Sequence, residues 1–473
     1  MESVESGITE EQELGFGFAG RYRRFRHDVF ASISERPLFP MPEEIPPEME
    51  LQSRWFAGEF GRDFTSTFGK PVRVLQFGHW NHAAGPDFTE VAVQIGDEKR
   101  TGSLELDTHP RDWEGHGHAQ NPNYDDVCLH LYVIEPSGDR YFTRTSSHRE
   151  VVQVQLDLAA IGSDAPVFFQ AEAKLGRCSH PLADMEGERL DGLLEAAAQY
   201  RMQRKSRRFH QVADIHGRAQ AFYQGIAEAL GYRNNKLPMT VLAQRLPLAG
   251  LLRDREAAEA KLFGLSGFLG APTYDDANAG ARPYLRELWE SWWKLRDRYS
   301  GGADLRWNLV GVRPTNHPQR RLGALAALVG RWRGLMPLLE PAAFSERSLG
   351  KFLGELAHPY WNFHYTLSSK PSTSAMALVG KARVADILAN QIYPALVPER
   401  PSLWENFLQV GAQLDNQKVR RAALRLFGDH PQVERLGKLL YQQQALLQIY
   451  DDFCLIDDSE CDECPFPEQL GQW

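Results

Sequence analysis

Asp87, Glu105 and Asp107 are the side chains best spaced to do chemistry together. Gly85-Pro86-Asp87 reads as a turn leading into the apolar–polar alternation of residues 88–95, and residues 101–107 alternate in the same way. Successive side chains on a strand point to opposite faces, so Leu104 and Leu106 share one face while Ser103, Glu105 and Asp107 share the other. If the two segments pair as a hairpin, Asp87 at the open end lies beside Asp107, within reach of Glu105. Three carboxylates gathered at one edge repel one another unless a cation lies between them, and Mg²⁺ or Mn²⁺ suits such hard oxygen ligands. A cation held there would polarise a phosphate and activate water.

Six of the fifteen histidines crowd the same stretch: His79, His82, His109, His116, His118 and His130. They offer a general base, phosphate partners or ligands for a softer metal such as zinc. His116 and His118 follow Trp113 in a loop, and His130 alternates with Leu129 and Leu131 on an apolar strand. A second metal-binding pattern lies in the tail, where Cys454, Cys461 and Cys464 read C-x₆-C-x₂-C. Three thiolates leave a tetrahedral site one ligand short, and Cys178 is the natural fourth. The spacing fits a [4Fe–4S] cluster or Zn²⁺ equally well, and such a site would clip the tail onto the sheet. Cys128, on an apolar strand, reads as a buried small hydrophobe.

The elements that must position these groups follow from periodicity. Residues 1–70 read as a mostly helical N-terminal segment with a Pro-rich break at 37–47, and residues 71–183 as a β-rich core of five or six short strands. Residues 184–449 carry apolar positions at helical spacing and form a large α-helical domain. Residues 450–473 form an acidic cysteine-bearing tail packing back on the core, with eight Asp/Glu and no Lys or Arg. The fold class is therefore α+β, a mixed sheet followed by helices.

With 473 residues, 42% hydrophobic and 24% charged, the composition is that of a globular chain of two or three domains. No run of 18 apolar residues predicts a membrane span, and the acidic N-terminus does not read as a secretory signal, so a cytoplasmic location is expected. The net charge of −9 argues against a protein that coats itself in nucleic acid, but not against a local basic groove. Two segments offer one. Residues 200–218 hold six Lys/Arg against one Asp, among them Arg201, Arg204, Lys205, Arg207 and Arg208. Arg313, Arg320 and Arg321 flank a Pro-bounded segment that leads into a helix, where guanidinium and free N–H groups could meet phosphate.

The strand arrangement resembles the PD-(D/E)XK nuclease core, whose signature is an Asp opening one strand and Glu-x-Lys on the next. Pro86-Asp87 and Glu105-Leu106-Asp107 match in order, but Asp107 stands where that family has lysine. Lys99 or Lys174 would have to substitute for it. The cysteine pattern resembles the iron–sulfur-stapled nucleases of bacterial helicase–nuclease complexes and CRISPR adaptation systems. Taken whole, the chain resembles an uncharacterised bacterial family of conserved domains of unknown function. The motifs that carry this are W-N-x₃-G-P-D-F at 80–88, G-x-x-E at 102–105, D-W-x-x-H-x-H at 112–118 and Y-x-x-V-x-L-H at 124–130. R-x-x-R-K-S at 201–206, A-L-G-Y at 229–232, R-P-x-N-x-P-x-x-R at 313–321 and the terminal C-x-x-C complete the match.

These resemblances imply a Mg²⁺- or Mn²⁺-dependent nuclease-like phosphodiesterase acting on nucleic acid. Its metal ligands would be Asp87, Glu105 and Asp107, with His116 and His118 assisting catalysis. Two alternatives are a catalytically degenerate nuclease fold used for binding or scaffolding, and a zinc-dependent hydrolase built on the histidines. Nothing in the sequence names a protein partner.

Overall fold

The computed structural model describes residues 19–33, 45–81, 85–134, 141–158, 180–185, 187–299, 305–412, 417–428, 436–455 and 466–473. His82, Lys174, Cys178, Cys461 and Cys464 lie outside the described residues. The expected order, sheet first and helices after, is what forms.

The sheet contains β1 (Asp63–Thr65), β2 (Pro71–Gln76), β3 (His79–Trp80), β4 (Phe88–Ile95), β5 (Glu98–Leu106), β6 (Val127–Tyr132) and β7 (Val152–Gln155). Their spatial order is β1-β2-β4-β5-β6-β7, with β3 pairing onto β4. The first half is antiparallel and the second parallel: β5 pairs β6 with Glu105 opposite His130, and β6 pairs β7 with His130 opposite Gln153. Two expectations change here. The strand at Asp63–Thr65 falls inside the segment read as helical, because its edge pairing with β2 outweighs its weak local pattern. Residues 140–148 read as a strand, and the described part, 141–148, makes only the isolated bridge Arg144↔Glu150, because Thr143 and Thr145 turn inward to polar partners.

The β4–β5 hairpin is tighter than the sequence suggested. Gly96 takes the left-handed φ of +59°, which lets β5 begin at Glu98 rather than 101. At the other end of β4 the register shifts between Phe88 and Val91, and Glu90 sits at φ +57°. That bulge frees the strand to twist just after Asp87.

Helix α1 (Ala19–Ile33) precedes α2 (Glu48–Phe56). α2 lays Leu51, Trp55 and Phe56 against the sheet, with the Trp55 ring 5.0 Å from Phe77 and Phe56 6.5 Å from Trp80. The helical part is organised on α3 (Gly187–His216), 30 residues and so about 45 Å long. α4 (Arg218–Leu230) and a later helix, α8 (Leu440–Tyr450), pack directly on it; α5 (Lys236–Arg245) and α6 (Pro318–Gly330) pack on α4, and α7 (Gln417–Phe427) packs on α8. The helical stretch from Lys381 to Leu396 passes through a π-turn at Leu388–Ile392. One buried apolar cluster runs through both sheet and helices. The chain ends meet on α3: Tyr22 and Arg26 of α1 donate to Asp452 at 3.2 and 2.9 Å, and Phe25 packs edge-on to Phe453 and Trp473. No single helix among the described residues is long and apolar enough to cross a membrane.

The α3 C-terminus is tied to α2 through His216. Its ring stacks on Phe56 with centroids 3.8 Å apart, and its Nε2–H donates to the Phe56 carbonyl at 3.0 Å. Burial pushes the imidazole down to about 4. The folded value lies below the unfolded 6.5, so His216 contributes its stability above pH 6.5 and loses it as pH falls from 6.5 toward 4. After discounting for solvent contact the loss is about 2 kcal/mol. Urea unfolding at pH 7 and pH 4.5 should therefore show the wild type losing more than His216→Phe. Equal losses in the two proteins would assign the acid sensitivity to other groups.

Candidate metal centre

The hairpin brings the carboxylates together as its alternation requires. The Asn81 side chain donates to the Pro86 carbonyl at 2.9 Å and its backbone N–H to the Asp87 carbonyl at 2.8 Å, which fixes the turn entering β4. The Asp87 N–H donates to Glu105 Oε2 at 2.9 Å, and Asp87 Oδ2 accepts the Leu106 N–H at 3.0 Å. Asp107, one residue beyond β5, is 1% exposed. Its Oδ1 lies 3.1 Å from His116 Nδ1 and its Oδ2 3.1 Å from His130 Nε2.

The crossover between the parallel strands β5 and β6 carries the other donors. Residues Asp112–Gly115 form one helical turn, Gly117 takes φ +80°, and His118 opens a 3₁₀ turn. Trp113, Tyr124, Val127 and Val151 make a small core of their own beneath this segment. The His118 ring stacks on Tyr124 with centroids 4.0 Å apart. Its Nε2 is buried and 3.0 Å from Glu105 Oε1, yet out of hydrogen-bonding alignment, so this nitrogen has no hydrogen-bond partner. Asp107, His116 and His118 each offer a ligand atom within 4.8 Å of the others. An orphaned buried nitrogen aimed among carboxylate oxygens is a donor set that fits a metal ion.

The electrostatics agree. Burial, then Glu105 and Glu48, holds the Asp87 carboxyl well above the usual carboxylate range, and burial followed by Asp107 does the same to Glu105. Burial also pushes His118 down, which keeps its imidazole neutral and its lone pair available. The concentration of negative charge is a demand for a cation.

Three contributors did not stand out in the sequence. Gln52 on α2 donates through Nε2 to Asp87 Oδ1 at 2.8 Å and to Glu48 Oε1 at 2.9 Å. Glu48 is raised by desolvation against the site and then by Asp107, although its side chain still reaches solvent. Glu48 and Gln52 are four apart on one helix face, which was the available signal. The third is the support behind Asp107. Thr143 Oγ1 accepts from Gln153 Nε2 at 2.7 Å and lies 2.6 Å from His130 Nδ1, to which its hydroxyl can donate when the neutral imidazole gives its own hydrogen to the Asp107 carboxylate.

Among the described residues no lysine enters the site. Lys99 is exposed at the opposite end of β5, six residues and about 20 Å of strand from Glu105. Most of the basic side chains named from the sequence make contacts within the chain. Arg320 donates to the Met376 and Ala377 carbonyls at 3.1 and 3.0 Å, and Arg321 to the Leu378 carbonyl at 2.7 Å and to Thr315. Arg208 pairs with Glu228 at 2.8 Å and Glu59 at 3.6 Å, and Arg201, Arg204 and Lys205 face α8. Arg207 is half-buried and Arg313 is exposed. Cys128 is buried on β6, and Cys454 is partly exposed.

Residues 48–409, well over half of the chain, match the family model described as "Protein of unknown function (DUF2851)". No curated protein and no solved structure matches the chain.

Proposed function

We propose that this chain, which belongs to the DUF2851 family, is a metal-dependent phosphodiesterase of nuclease type acting on nucleic acid. The observation that carries the reading is the convergence of Asp87, Glu105 and Asp107 with the orphaned Nε2 of His118 at the ends of the interior strands β4 and β5. Asp87 and Glu105-Leu106-Asp107 lie on adjacent strands, in the order of the PD-(D/E)XK signature. When bound, a divalent cation supplies charge to polarise a phosphodiester and lower the pKa of a water. The mixed carboxylate and imidazole donors favour Mn²⁺ or Zn²⁺ over Mg²⁺.

The chain's own residues account for the rest. Asp87, Glu105, Asp107 and His118 would hold the cation. Gln52 fixes Asp87 from one side and the Leu106 N–H from the other. His116 is oriented through Nδ1 by Asp107 and is half-exposed, so its Nε2 faces solvent free to accept a proton. It thereby takes the position-specific work that the missing lysine would do. Tyr124 and Trp113 wall the His118 side against water.

The test is cleavage of labelled single- and double-stranded DNA and RNA with Mn²⁺, Zn²⁺ or Mg²⁺. The wild type should cleave best with Mn²⁺ or Zn²⁺, and Asp87→Ala should be slower by at least about 100-fold. A wild type that binds metal yet cleaves none of these substrates would sink the enzymatic reading and leave a binding or scaffolding role.

A further inference from the structure

We infer that the substrate strand is single: one unpaired nucleobase enters the cleft between β3–β4 and the 3₁₀ turn Arg296–Arg298, and its neighbour stacks on Arg296. The inference rests on the nucleic-acid reading above and names the form of that substrate.

The cleft begins beside the metal centre. Its volume is about 240 Å³, room for one base, and His79, Asn81, Thr89, Glu90 and Arg298 are among its walls. Asn81 is the residue that ties Pro86 and Asp87 into place. Thr89 follows Asp87 by two residues, about 7 Å of strand. A strand whose phosphate lies at the carboxylates therefore has its next base within reach of the cleft.

The walls suit the edge of a base better than a phosphate. Arg298 brings one positive charge and Glu90 one negative, with His79 Nε2 3.7 Å from Glu90 Oε2. The Arg298 charge also bears on Asp254, which Lys261 holds at 2.7 Å. So balanced a set does little for a phosphate, whereas guanidinium and amide donors beside carboxylate and hydroxyl acceptors match the mixed edge of a base. Glu90 faces His79 from a left-handed backbone, φ +57°, and such strain in a carboxylate residue is held where a site uses it. The backbone of β3 contributes as well. Asn81 bonds the Asp87 carbonyl and His79 pairs with Thr89, so Trp80 between them turns its N–H and C=O away from β4. Base edges in a duplex are already paired, and only an unpaired base can use these groups.

A stacking ladder adjoins the cleft. The helix Arg282–Trp293 carries two adjacent tryptophans with different surroundings. Trp292 lies on Gly264, where a methyl would come within 2.0 Å of its ring. Trp293 is 47% exposed and stacks on Trp289 with centroids 4.8 Å apart, and Trp289 is anchored by its Nε1–H to the Leu269 carbonyl at 3.0 Å. The Arg296 guanidinium lies 3.3 Å from the centre of the Trp293 ring, with Asp297 3.6 Å away and 45% of the Arg296 side chain still exposed. Arg296 is thus held in place two residues before Arg298, and a guanidinium presented on an aromatic ladder takes a base by stacking and cation–π attraction.

Fluorescence anisotropy of labelled oligonucleotides, recorded with the full chain in a chelator so that nothing is cleaved, tests the site. Single-stranded oligothymidylate or oligouridylate should bind at least about tenfold more tightly than the same strand paired with its complement. Arg296→Gln and Arg298→Gln, both at exposed positions, should each weaken single-strand binding about tenfold and leave the melting temperature unchanged. An abasic strand of equal length should bind the wild type weakly and respond little to either substitution. The tighter of the two strands names the sugar. Equal binding of single strand and duplex, equal binding of intact and abasic strands, or single-strand binding unchanged in both variants would overturn the inference. A chain that passes here yet cleaves nothing loses only the catalytic reading, and one that cleaves while both variants bind like the parent loses only this one.

Discussion

Glu105→Gln should cost at least about 100-fold in Mn²⁺ or Zn²⁺ affinity and, in the metal-free protein, raise stability by about 1 kcal/mol. Both changes have one cause. Asp87, Glu105 and Asp107 are gathered at the open end of the β4–β5 hairpin, with Glu48 at the mouth, and burial plus mutual repulsion raise Asp87, Glu105 and Glu48. A Gln carbonyl at position 105 can still accept the Asp87 N–H that Oε2 now takes at 2.9 Å, so the hairpin end keeps its bond. What disappears is one negative charge, which a cation needs and the metal-free fold does not. Calorimetric metal titration together with melting curves recorded in a chelator reads both halves. A variant that binds metal like the parent, or melts lower without metal, would show that Glu105 serves the fold and not an ion.

Gly102→Ala is expected to destabilise the protein by about 3 kcal/mol or more and to abolish metal binding with it. A methyl at position 102 would meet the Asp126 carbonyl oxygen at 2.1 Å, a backbone atom that no rotamer change can move. That carbonyl also accepts the Ser103 N–H at 3.2 Å, at the start of the β5–β6 pairing. Pushing the strands apart there shifts Glu105 away from His130 and Asp107 away from its two imidazoles. Denaturant unfolding and the same metal titration measure the result. A midpoint within about 0.5 kcal/mol of wild type would mean the strands accommodate the methyl at little cost.

The strand chemistry was legible because alternation is a local rule. Ser103, Glu105 and Asp107 had to share a face once residues 98–106 became a strand, and Asp87 had to meet them once the hairpin closed. Glu48 and Gln52 were not legible in the same way, since only tertiary packing lays α2 across the open end of the hairpin. His130 could be placed on its strand but not joined to Asp107, because the parallel pairing of β5 with β6 depends on a crossover whose path periodicity does not specify. The internal contacts of the basic run were not legible for a related reason. A charge run is read as a solvated face, and its internal acceptors lie some 240 residues downstream in the glutamine-rich α8. Four glutamines in an otherwise apolar helix, Gln442, Gln443, Gln444 and Gln448, were the signal that buried cations needed partners.

The small core under the β5–β6 crossover sets the timing of any metal exchange. Trp113, Tyr124, Val127 and Val151 pack apart from the main apolar cluster, so the segment bearing His116 and His118 can open as a unit of its own while the sheet stays folded. Amide protons of residues 112–124 should then exchange with solvent faster than those of β5. A bound ion would slow that exchange by tying His118 to Glu105 and Asp107 on the sheet. Release of the ion would follow the opening rate of this one loop, making residence time a property of Trp113 and Tyr124 as much as of the ligands.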